Sequence, residues 1–209
     1  ISKSLSKLLR HQAISENITI DEQGFSPLNE VLVHKWLKSL KATPQEVFEV
    51  VESNEKKRFI IVELKPSGIK ETAHHYEKGE EYYISALQGH SISSVSTTHG
   101  MVELKSDEDW PQVIVHGTYK RFLKGIKEKG GLSKGKRNHV HCATGEKVIS
   151  GMRNSCEVLI FLDVYKLKSS QLIFYKSGNG VILSAGNKDG IIGVEYFSKI
   201  VDVKNGSEI

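Results

Sequence analysis

The sequence is poor in cysteine and contains no long apolar run. Two cysteines among 209 residues are too few for a disulfide scaffold and are typical of a reducing compartment. No apolar stretch approaches the roughly 20 residues of a membrane-spanning helix, and no secretory signal sequence is recognisable. With 38% hydrophobic and 26% charged residues, the composition is that of a globular protein with a buried core. The length fits one large domain or two small ones.

Several nucleotide-binding and catalytic motifs are also missing. The chain has neither a G-x-G-x-x-G dinucleotide fingerprint nor a G-x-x-x-x-G-K-[ST] phosphate-binding loop, which argues against a Rossmann fold and against a P-loop ATPase. It has no nucleophile elbow of the serine-hydrolase kind. His139, His141 and Cys142 are close in sequence, but the other thiol, Cys156, lies in no zinc-finger spacing. We therefore predict no bound metal.

Positive charge is concentrated in one segment, residues 119–137. The segment has eight lysines and arginines and one glutamate, a net charge of +7, whereas the whole chain has a net charge of +4. A patch of this density attracts phosphate groups through Coulomb forces and counterion release. The alternative is an ordinary solvated helix face, which lysine-rich helices often form. The charged residues are Lys120, Arg121, Lys124, Lys127, Glu128, Lys129, Lys134, Lys136 and Arg137.

The first ninety residues contain the patterns of three helices and two strands. Leucines recur at helical spacing near the start, Ser26-Pro27 is a helix start signal, and Thr43-Pro44-Gln45-Glu46 is a capping box. These elements are typical of a winged-helix module. The predicted elements are a helix containing Leu5, Leu8 and Leu9, a helix from Ser26 through Trp36, a helix from Thr43, and strands Arg58–Leu64 and Tyr82–Leu87, with the surface loop Pro66–Glu81 between the strands.

The second half of the chain is rich in strand patterns and follows a polar linker, Ser91–Asp109. A strand at Val113–His116 ends in Gly117-Thr118, and the basic helix after it stops at Gly130-Gly131, a C-terminal helix signal. Together the two halves predict an α+β protein with two domains, residues 1–97 and 98–209. Further strands are predicted at His139–Cys142, Glu157–Val164, Gln171–Tyr175, Val181–Ser184 and Val194–Val203.

Four short combinations carry residues suited to chemistry. Arg10-His11 ends the first helix and Arg58 opens a strand, although taken alone each is better explained by complementing a helix dipole or by marking a strand boundary. His116-Gly117-Thr118 lies between a strand and a helix, where N–H groups and a hydroxyl bind phosphate or ribose. Gln88-Gly89-His90-Ser91 either holds a ligand or satisfies a bend. Arginines and histidines with few acids favour phosphate binding over carboxylate acid–base catalysis.

In combination, these motifs resemble the tRNA 2′-phosphotransferase family. Seven motifs occur in the family's order over nearly the whole chain, and Val148-Ile149-Ser150-Gly151-Met152-Arg153 looks like its eukaryotic branch. The seven motifs are Leu5-Ser6-Lys7-Leu8-Leu9-Arg10-His11, Gly24-Phe25-Ser26-Pro27-Leu28, Lys57-Arg58-Phe59, Gln88-Gly89-His90-Ser91, His116-Gly117-Thr118, Arg137-Asn138-His139-Val140-His141 and Asn179-Gly180-Val181-Ile182-Leu183-Ser184.

The resemblance implies a fold and a reaction. The expected fold is α+β, with an N-terminal winged-helix RNA-binding lobe and a C-terminal lobe like the NAD-binding ADP-ribosyltransferases. The expected reaction transfers the splice-junction 2′-phosphate of tRNA to NAD+ through an ADP-ribosylated RNA 2′-phosphate. It yields RNA with a 2′-OH, nicotinamide and ADP-ribose 1″,2″-cyclic phosphate. NAD+ is consumed, 2′-phosphorylated tRNA is the partner, and we expect a monomer in the nucleus or cytoplasm of a eukaryotic cell, without membrane association.

The resemblance also assigns roles to residues. The family's essential tetrad falls on Arg10, His11, Arg58 and Arg137, whose guanidiniums would bind the 2′-phosphate. His11 would either transfer a proton or contact the phosphate in the second step, because an imidazole titrates near neutrality. The residues expected to bind NAD+ are His116, Gly117 and Thr118 on the nicotinamide-ribose side, and His139 and His141 in the same cleft.

Two other functions fit the same sequence. One is ADP-ribosylation of a terminal nucleic-acid phosphate, which would use the same NAD+ site and stop after the first step. The other is a non-catalytic winged-helix RNA-binding module, which the basic segment and the helix–hairpin pattern would support. Analysis of the products separates the first alternative from full phosphate transfer, and NAD+ binding separates the second from either enzyme.

Overall fold

The capping box in the sequence starts a helix in the structure. The computed structural model describes residues 1–96, 98, 100–145 and 155–209. In it, the Thr43 hydroxyl accepts from the backbone N–H of Glu46 at 3.2 Å, and the Glu46 carboxylate accepts from the Thr43 N–H at 2.9 Å. Pro44 occupies the first helical position, where no N–H is needed. The helix therefore begins where local hydrogen bonding dictates.

The chain divides into two units, Ile1–Gly100 and Met101–Ile209, whereas the sequence places the boundary between residues 97 and 98. In the first unit the strands form one antiparallel sheet in the order β1-β4-β2-β3. Its elements are α1 (Ser2–Lys7), a π-helical turn (Leu8–Gln12), β1 (Phe25–Pro27), α2 (Leu28–Val33), α3 (Lys35–Lys38), α4 (Pro44–Glu52), β2 (Phe59–Leu64), β3 (Lys70–Thr72) and β4 (Tyr82–Ala86).

The helices of the first unit cover one face of this sheet. Leu5, Leu8 and Leu9, whose spacing predicts the first helix, are fully buried. They belong to one apolar cluster with Phe48 of α4 and Ile84 of β4. Burial of these side chains fixes where the first helix ends, and so where the residues that follow Leu9 emerge from the core.

The second unit contains three separate groups of paired strands, in the orders β5-β10-β11-β8, β12-β7 and β13-β9-β6. Short 3₁₀ turns lie at Asp107–Asp109 and Val194–Tyr196. The other elements are β5 (Met101–Glu103), β6 (Ile114–Thr118), α5 (Lys120–Glu128), β7 (Gly131–Ser133), β8 (Val140–Cys142), β9 (Val158–Leu162), α6 (Val164–Lys168), β10 (Phe174–Ser177), β11 (Ile182–Ser184), β12 (Ile191–Gly193) and β13 (Phe197–Asp202).

One close backbone contact fixes the strand that follows α5. Gly131 of β7 pairs with Gly193 of β12, and a Cβ at Gly131 would lie 2.1 Å from the carbonyl oxygen of Ile192. Gly131 also has a φ of +155°. Only glycine fits this position, so the Gly-Gly signal predicted to end the helix also permits the pairing of β7 with β12.

The second predicted helix differs from the structure. Ser26 and Pro27 belong to β1, which pairs with β4, and the helix begins only at Leu28. It breaks at His34, whose backbone is extended (ψ 139°) and whose Nδ1 accepts from the N–H of Trp36 at 3.4 Å. The helix starts later than the Ser26-Pro27 signal predicts because pairing of these two residues with β4 outweighs their local preference for a helix start.

Three further boundaries differ. The segment predicted as the loop Pro66–Glu81 contains β3, which extends the hairpin by pairing with β2. The predicted linker Ser91–Asp109 contains β5, which pairs with β10. The strand predicted at Val194–Val203 opens with a 3₁₀ turn, and its paired part is β13. β3 and β5 are only three residues long, too short for a local strand pattern, and the partner of β5 is also distant in sequence.

Helices and antiparallel sheets together make up both units. Every strand pairing among the described residues is antiparallel. The α+β class is therefore confirmed. The winged-helix and ADP-ribosyltransferase-like architectures stay predictions.

Candidate active site

Arg10 and His11 lie where the first helix changes its winding. α1 continues into the π-helical turn Leu8–Gln12, whose first two residues are buried. His11 is exposed and Arg10 is half-buried. Such wide turns are rare in proteins, and those that occur are often found at functional sites. The buried leucines hold the turn in the core; His11 faces solvent, whereas the Nε and Nη2 atoms of Arg10 are buried.

Ser91 holds the His11 imidazole in one orientation. Its hydroxyl lies 2.9 Å from His11 Nδ1, and its backbone N–H donates to the Arg10 carbonyl oxygen at 2.8 Å. Both residues are therefore tied to the same serine, one through its side chain and the other through the backbone. The ring orientation follows from this contact, which the sequence motif Gln88-Gly89-His90-Ser91 does not by itself reveal.

A buried histidine, His90, lies close to Arg10 and His11. His90 is 8% exposed. Burial, with smaller contributions from the charges of Arg10 and His11, lowers its pKa to about 4. Its Nε2 and the Oε1 of Gln88 are buried and make no hydrogen bond within the described part of the chain. Gly24, at φ +81°, allows close packing here, because a Cβ would lie 3.1 Å from His90 Nε2.

Arg58 is held by an asparagine and by the same segment that contacts Arg10. Its Nη1 donates to Asn54 Oδ1 at 3.3 Å, and its backbone carbonyl accepts from the N–H of Leu87 at 2.9 Å. Since Ser91 is bonded to Arg10, residues 87–91 connect the backbones of both arginines. Three of the four predicted catalytic residues thus belong to one hydrogen-bonded arrangement in the first unit.

The predicted NAD-binding motif forms the end of a buried strand in the second unit. His116 and Thr118 lie on β6, opposite Ile160 and Val158 of β9. His116 Nδ1 donates to the carbonyl oxygen of His141 at 2.8 Å. Burial lowers the pKa of His116, the hydrogen bond raises it, and the charge of Arg137 adds to the lowering. The net pKa is below the ordinary value, so His116 is neutral at pH 7 with its proton on Nδ1.

A cavity of about 290 Å³ lies beside this motif. His116 and Thr118 form part of its wall, as do the apolar side chains of Phe122, Ile126 and Leu132. Arg121 and Lys129 of α5 also line it. The cavity therefore combines an apolar wall, a hydroxyl, a neutral imidazole and two cations, a combination that suits a phosphorylated nucleoside.

The remaining predicted site residues, Arg137, His139 and His141, are close to one another in sequence but differ in burial and hydrogen bonding. Arg137 is exposed, and its N–H donates to the carbonyl of Lys134 at 3.2 Å. His139 is 4% exposed, and burial, with the charge of Lys134, lowers its pKa. His141 Nδ1 donates to the His139 carbonyl at 3.0 Å. Among the described residues, Gly117, His139 and His141 do not line the cavity; their contact with NAD+ stays a prediction.

Other reactive groups do not form a site in the described part of the chain. Burial raises the pKa of the Cys142 thiol to about 12 and raises that of Cys156, so neither is a thiolate at pH 7. Within residues 1–96, 98, 100–145 and 155–209, no three His, Cys, Asp or Glu side chains are grouped to hold a metal ion. No helix in these ranges is long and apolar enough to cross a membrane.

The sequence patterns did not identify three residues whose place in the site depends on the fold, namely Asn54, Arg121 and Lys129. Asn54 follows a helix end and reads as an ordinary turn residue, yet its carboxamide contacts Arg58. The sequence places Arg121 and Lys129 only in a basic segment. Both line the cavity because of the way α5 is rotated about its axis. Their spacing of eight residues, close to two helical turns, was the available signal. The motif Val148–Arg153, attributed to the eukaryotic branch, lies outside the described residues.

Comparison with known proteins gives matches along almost the whole chain. The family model described as RNA 2′-phosphotransferase, Tpt1/KptA family, matches residues 1–186. The tRNA 2′-phosphotransferase of Saccharomyces cerevisiae is 38% identical over 207 residues, covering 96% of this chain and 82% of that protein. The tRNA 2′-phosphotransferase 1 of Danio rerio is 34% identical, with coverages of 98% and 85%. That of Homo sapiens is 32% identical, with coverages of 98% and 76%.

Proposed function

Because the chain belongs to the RNA 2′-phosphotransferase, Tpt1/KptA family, we propose that it is an enzyme that removes the splice-junction 2′-phosphate of tRNA and transfers it to NAD+. The names of the similar proteins support the phosphate transfer and its tRNA substrate. The cavity beside His116 and Thr118 supports a nucleotide acceptor.

The proposed reaction has two steps. In the first, an oxygen of the RNA 2′-phosphate forms a bond to the anomeric carbon of the nicotinamide ribose, and the bond from that carbon to nicotinamide breaks. In the second, the ribose 2″-oxygen forms a bond to phosphorus and the bond to the RNA 2′-oxygen breaks. The 2″-hydroxyl loses a proton and the RNA 2′-oxygen gains one. The products are 2′-OH RNA and ADP-ribose 1″,2″-cyclic phosphate.

The guanidinium groups suit a mechanism in which a phosphate is the nucleophile, rather than one that needs a catalytic carboxylate. A phosphate dianion is already a nucleophile, so the first step needs positioning more than a general base. We assign Arg10, Arg58 and Arg137 to the oxygens of the 2′-phosphate, where planar guanidiniums donate two parallel hydrogen bonds. In the second step negative charge grows on the same oxygens, and fixed cations stabilise it without reorganising. Asn54 is a positioning residue for Arg58 through the 3.3 Å contact.

His11 is assigned to proton transfer in the second step. The Ser91 hydroxyl occupies the Nδ1 side of the ring at 2.9 Å, so we assign the opposite nitrogen, Nε2, to the proton transfer. The neutral His90 close to it adds no positive charge at pH 7, because its pKa is about 4. A proton therefore enters and leaves this cluster at His11 and not at His90.

The cavity of the second unit is assigned to part of NAD+. Its volume of about 290 Å³ is at the small end of the range for small-molecule sites, enough for a portion of the dinucleotide. His116 and Thr118 offer ring and hydroxyl groups to ribose oxygens. Arg121 and Lys129 complement the negative pyrophosphate. The residues present thus fit the dinucleotide.

The observation that carries the catalytic assignment is the link between Arg10 and Arg58 made by residues 87–91. The test is to incubate the protein with a 2′-phosphorylated oligonucleotide, with and without NAD+, and to measure phosphate loss and nicotinamide release. We expect both only with NAD+, and a loss of at least roughly tenfold in Arg58→Ala. Lys3→Ala, which neutralises an exposed cation on α1, is the matched control and should keep full activity.

Other outcomes would reject the proposal. Folded protein that leaves the 2′-phosphate in place in the presence of NAD+ is not a 2′-phosphotransferase. Nicotinamide release with ADP-ribose remaining on the RNA would instead support ADP-ribosylation that stops after the first step. RNA binding without heat on addition of NAD+ in calorimetry would support a non-catalytic binding module.

A further inference from the structure

The two units carry very different net charges. Of the 29 lysines and arginines and 25 acidic residues, residues 1–100 contain 12 and 13, and residues 101–209 contain 17 and 12. The net charges are therefore −1 and +5. Residues 119–137 alone contribute +7, so the rest of the second unit has a net charge of −2. The positive charge of the protein thus belongs to α5 and the turn after it.

α5 separates an apolar side from a basic one. Leu123 and Ile126 pack against the core of the second unit. Arg121, Lys124, Lys127 and Lys129 are exposed. The helix packs on the core through its apolar side, and these four basic residues lie on the exposed part of its surface. A helix with this distribution presents its cations to a partner or to solvent.

Acidic neighbours neutralise only part of this charge. Lys120 is paired with Asp202. Lys124 lies 3.8 Å from Glu128, but the two side chains are 87% and 64% exposed, so the pair is weak. Arg121, Lys127 and Lys129 form no ion pair with any described residue. The helix therefore keeps most of its positive charge available.

The cations lie on two sides of the helix with different surroundings. Arg121 and Lys129 line the cavity beside His116, as does Phe122. Lys124 and Lys127 do not line it, and at positions i and i+3 they are neighbours on the helix surface. The NAD+ proposed for the cavity accounts for the first pair. The second pair, here called the outer lysines, remains to be explained.

We infer that the outer lysines, Lys124 and Lys127, bind the phosphodiester backbone of the RNA substrate away from the reacting nucleotide. The inference rests on the proposed function for the presence of RNA. RNA carries a regular array of negative charge that two adjacent, exposed ammonium groups complement without a shaped pocket. The electrostatic contact with the body of the RNA would therefore be made by the second unit and not by the first, whose net charge is −1.

The test compares substrates of two lengths. The variant is Lys124→Gln with Lys127→Gln, assayed on a full-length 2′-phosphorylated tRNA and on a short 2′-phosphorylated oligonucleotide. The matched control is Lys38→Gln with Lys41→Gln, two exposed lysines of the first unit at the same spacing. Both variants lose two charges and neither changes a residue assigned to chemistry.

We expect KM for the tRNA to rise about five- to thirtyfold at low salt in the outer-lysine variant, with kcat unchanged. The slope of log KM against log salt should fall by roughly 1.5, because two phosphate contacts are lost. KM for the short oligonucleotide should stay unchanged, and the control should behave like the unaltered protein with both substrates.

Two results would overturn the inference. One is an unchanged KM and salt slope for the tRNA in the outer-lysine variant. The other is an equal rise in the control, which would show a general effect of net charge. If the unaltered protein has no transferase activity, the proposed function fails, and direct tRNA binding by the two variants, measured by salt titration, still tests the surface.

Discussion

Replacement of Ser91 by alanine tests whether the orientation of His11 matters for catalysis. The change removes the hydroxyl that lies 2.9 Å from His11 Nδ1. It keeps the backbone hydrogen bond from residue 91 to the Arg10 carbonyl at 2.8 Å. Since Ser91 is exposed, the free energy of unfolding should hardly change. The variant therefore separates ring orientation from folding.

The size of the effect follows from the single contact that is lost. One hydrogen bond contributes about 0.5–1.5 kcal/mol net, which corresponds to a rate loss of about two- to thirteenfold. The loss should fall on the second step, where His11 is assigned to proton transfer. Single-turnover reactions with a 2′-phosphorylated oligonucleotide and NAD+ should then accumulate ADP-ribosylated RNA.

A conservative variant distinguishes orientation from mere bulk. Ser91→Thr keeps the hydroxyl and should restore the second step, and the pH dependence of that step should shift in Ser91→Ala but not in Ser91→Thr. Equal slowing of both steps would refute the reasoning. So would an alanine variant whose second step and pH profile match those of the unaltered protein.

Three further changes test the site and the fold. His11→Ala and Arg10→Ala should slow the second step more than the first, seen as accumulated intermediate; equal loss of both steps would contradict this. Because the folded-state pKa of His90 is about 4 and the unfolded value is near 6.5, the free energy of unfolding should fall by about 3 kcal/mol as pH drops from 6.5 to 4. His90→Gln should remove that pH dependence in denaturant titrations, and parallel curves would contradict it. Gly131→Ala, which places a Cβ 2.1 Å from a carbonyl oxygen, should cost about 1–3 kcal/mol or more; Gly125→Ala, with no atom within 4 Å of its Cβ, should not lower the melting temperature.

Local sequence signals predicted the elements whose boundaries depend on neighbouring residues. The capping box at Thr43 gave the start of α4, and leucine spacing gave the first helix, because each of these signals acts within a few residues. β1 was missed because its partner, β4, is distant in the chain, and β3 was missed because it is only three residues long, although it forms a hairpin with the preceding strand β2. A three-residue strand has too little pattern to reveal such a partner.

The site residues show the same limit. Motif order pointed to Arg10, His11 and Arg58, but gave no contact between them. The link through residues 87–91 depends on β4 pairing with β2 and on the first helix packing above the sheet. The role of Ser91 in orienting His11 requires the folded turn. Residue types were thus readable from the sequence, whereas the hydrogen bonds that orient them required the fold.

The proposed reaction is tested most directly by following the phosphorus atoms. A 2′-phosphorylated oligonucleotide and NAD+ are incubated with the protein, and ³¹P NMR is recorded over time. The proposed reaction predicts that the 2′-monoester signal disappears while a five-membered cyclic phosphate signal and shifted pyrophosphate signals appear, with intensities of one phosphorus to two because the pyrophosphate contains two phosphorus atoms. Loss of the monoester signal as inorganic phosphate, or its loss without NAD+, would contradict it.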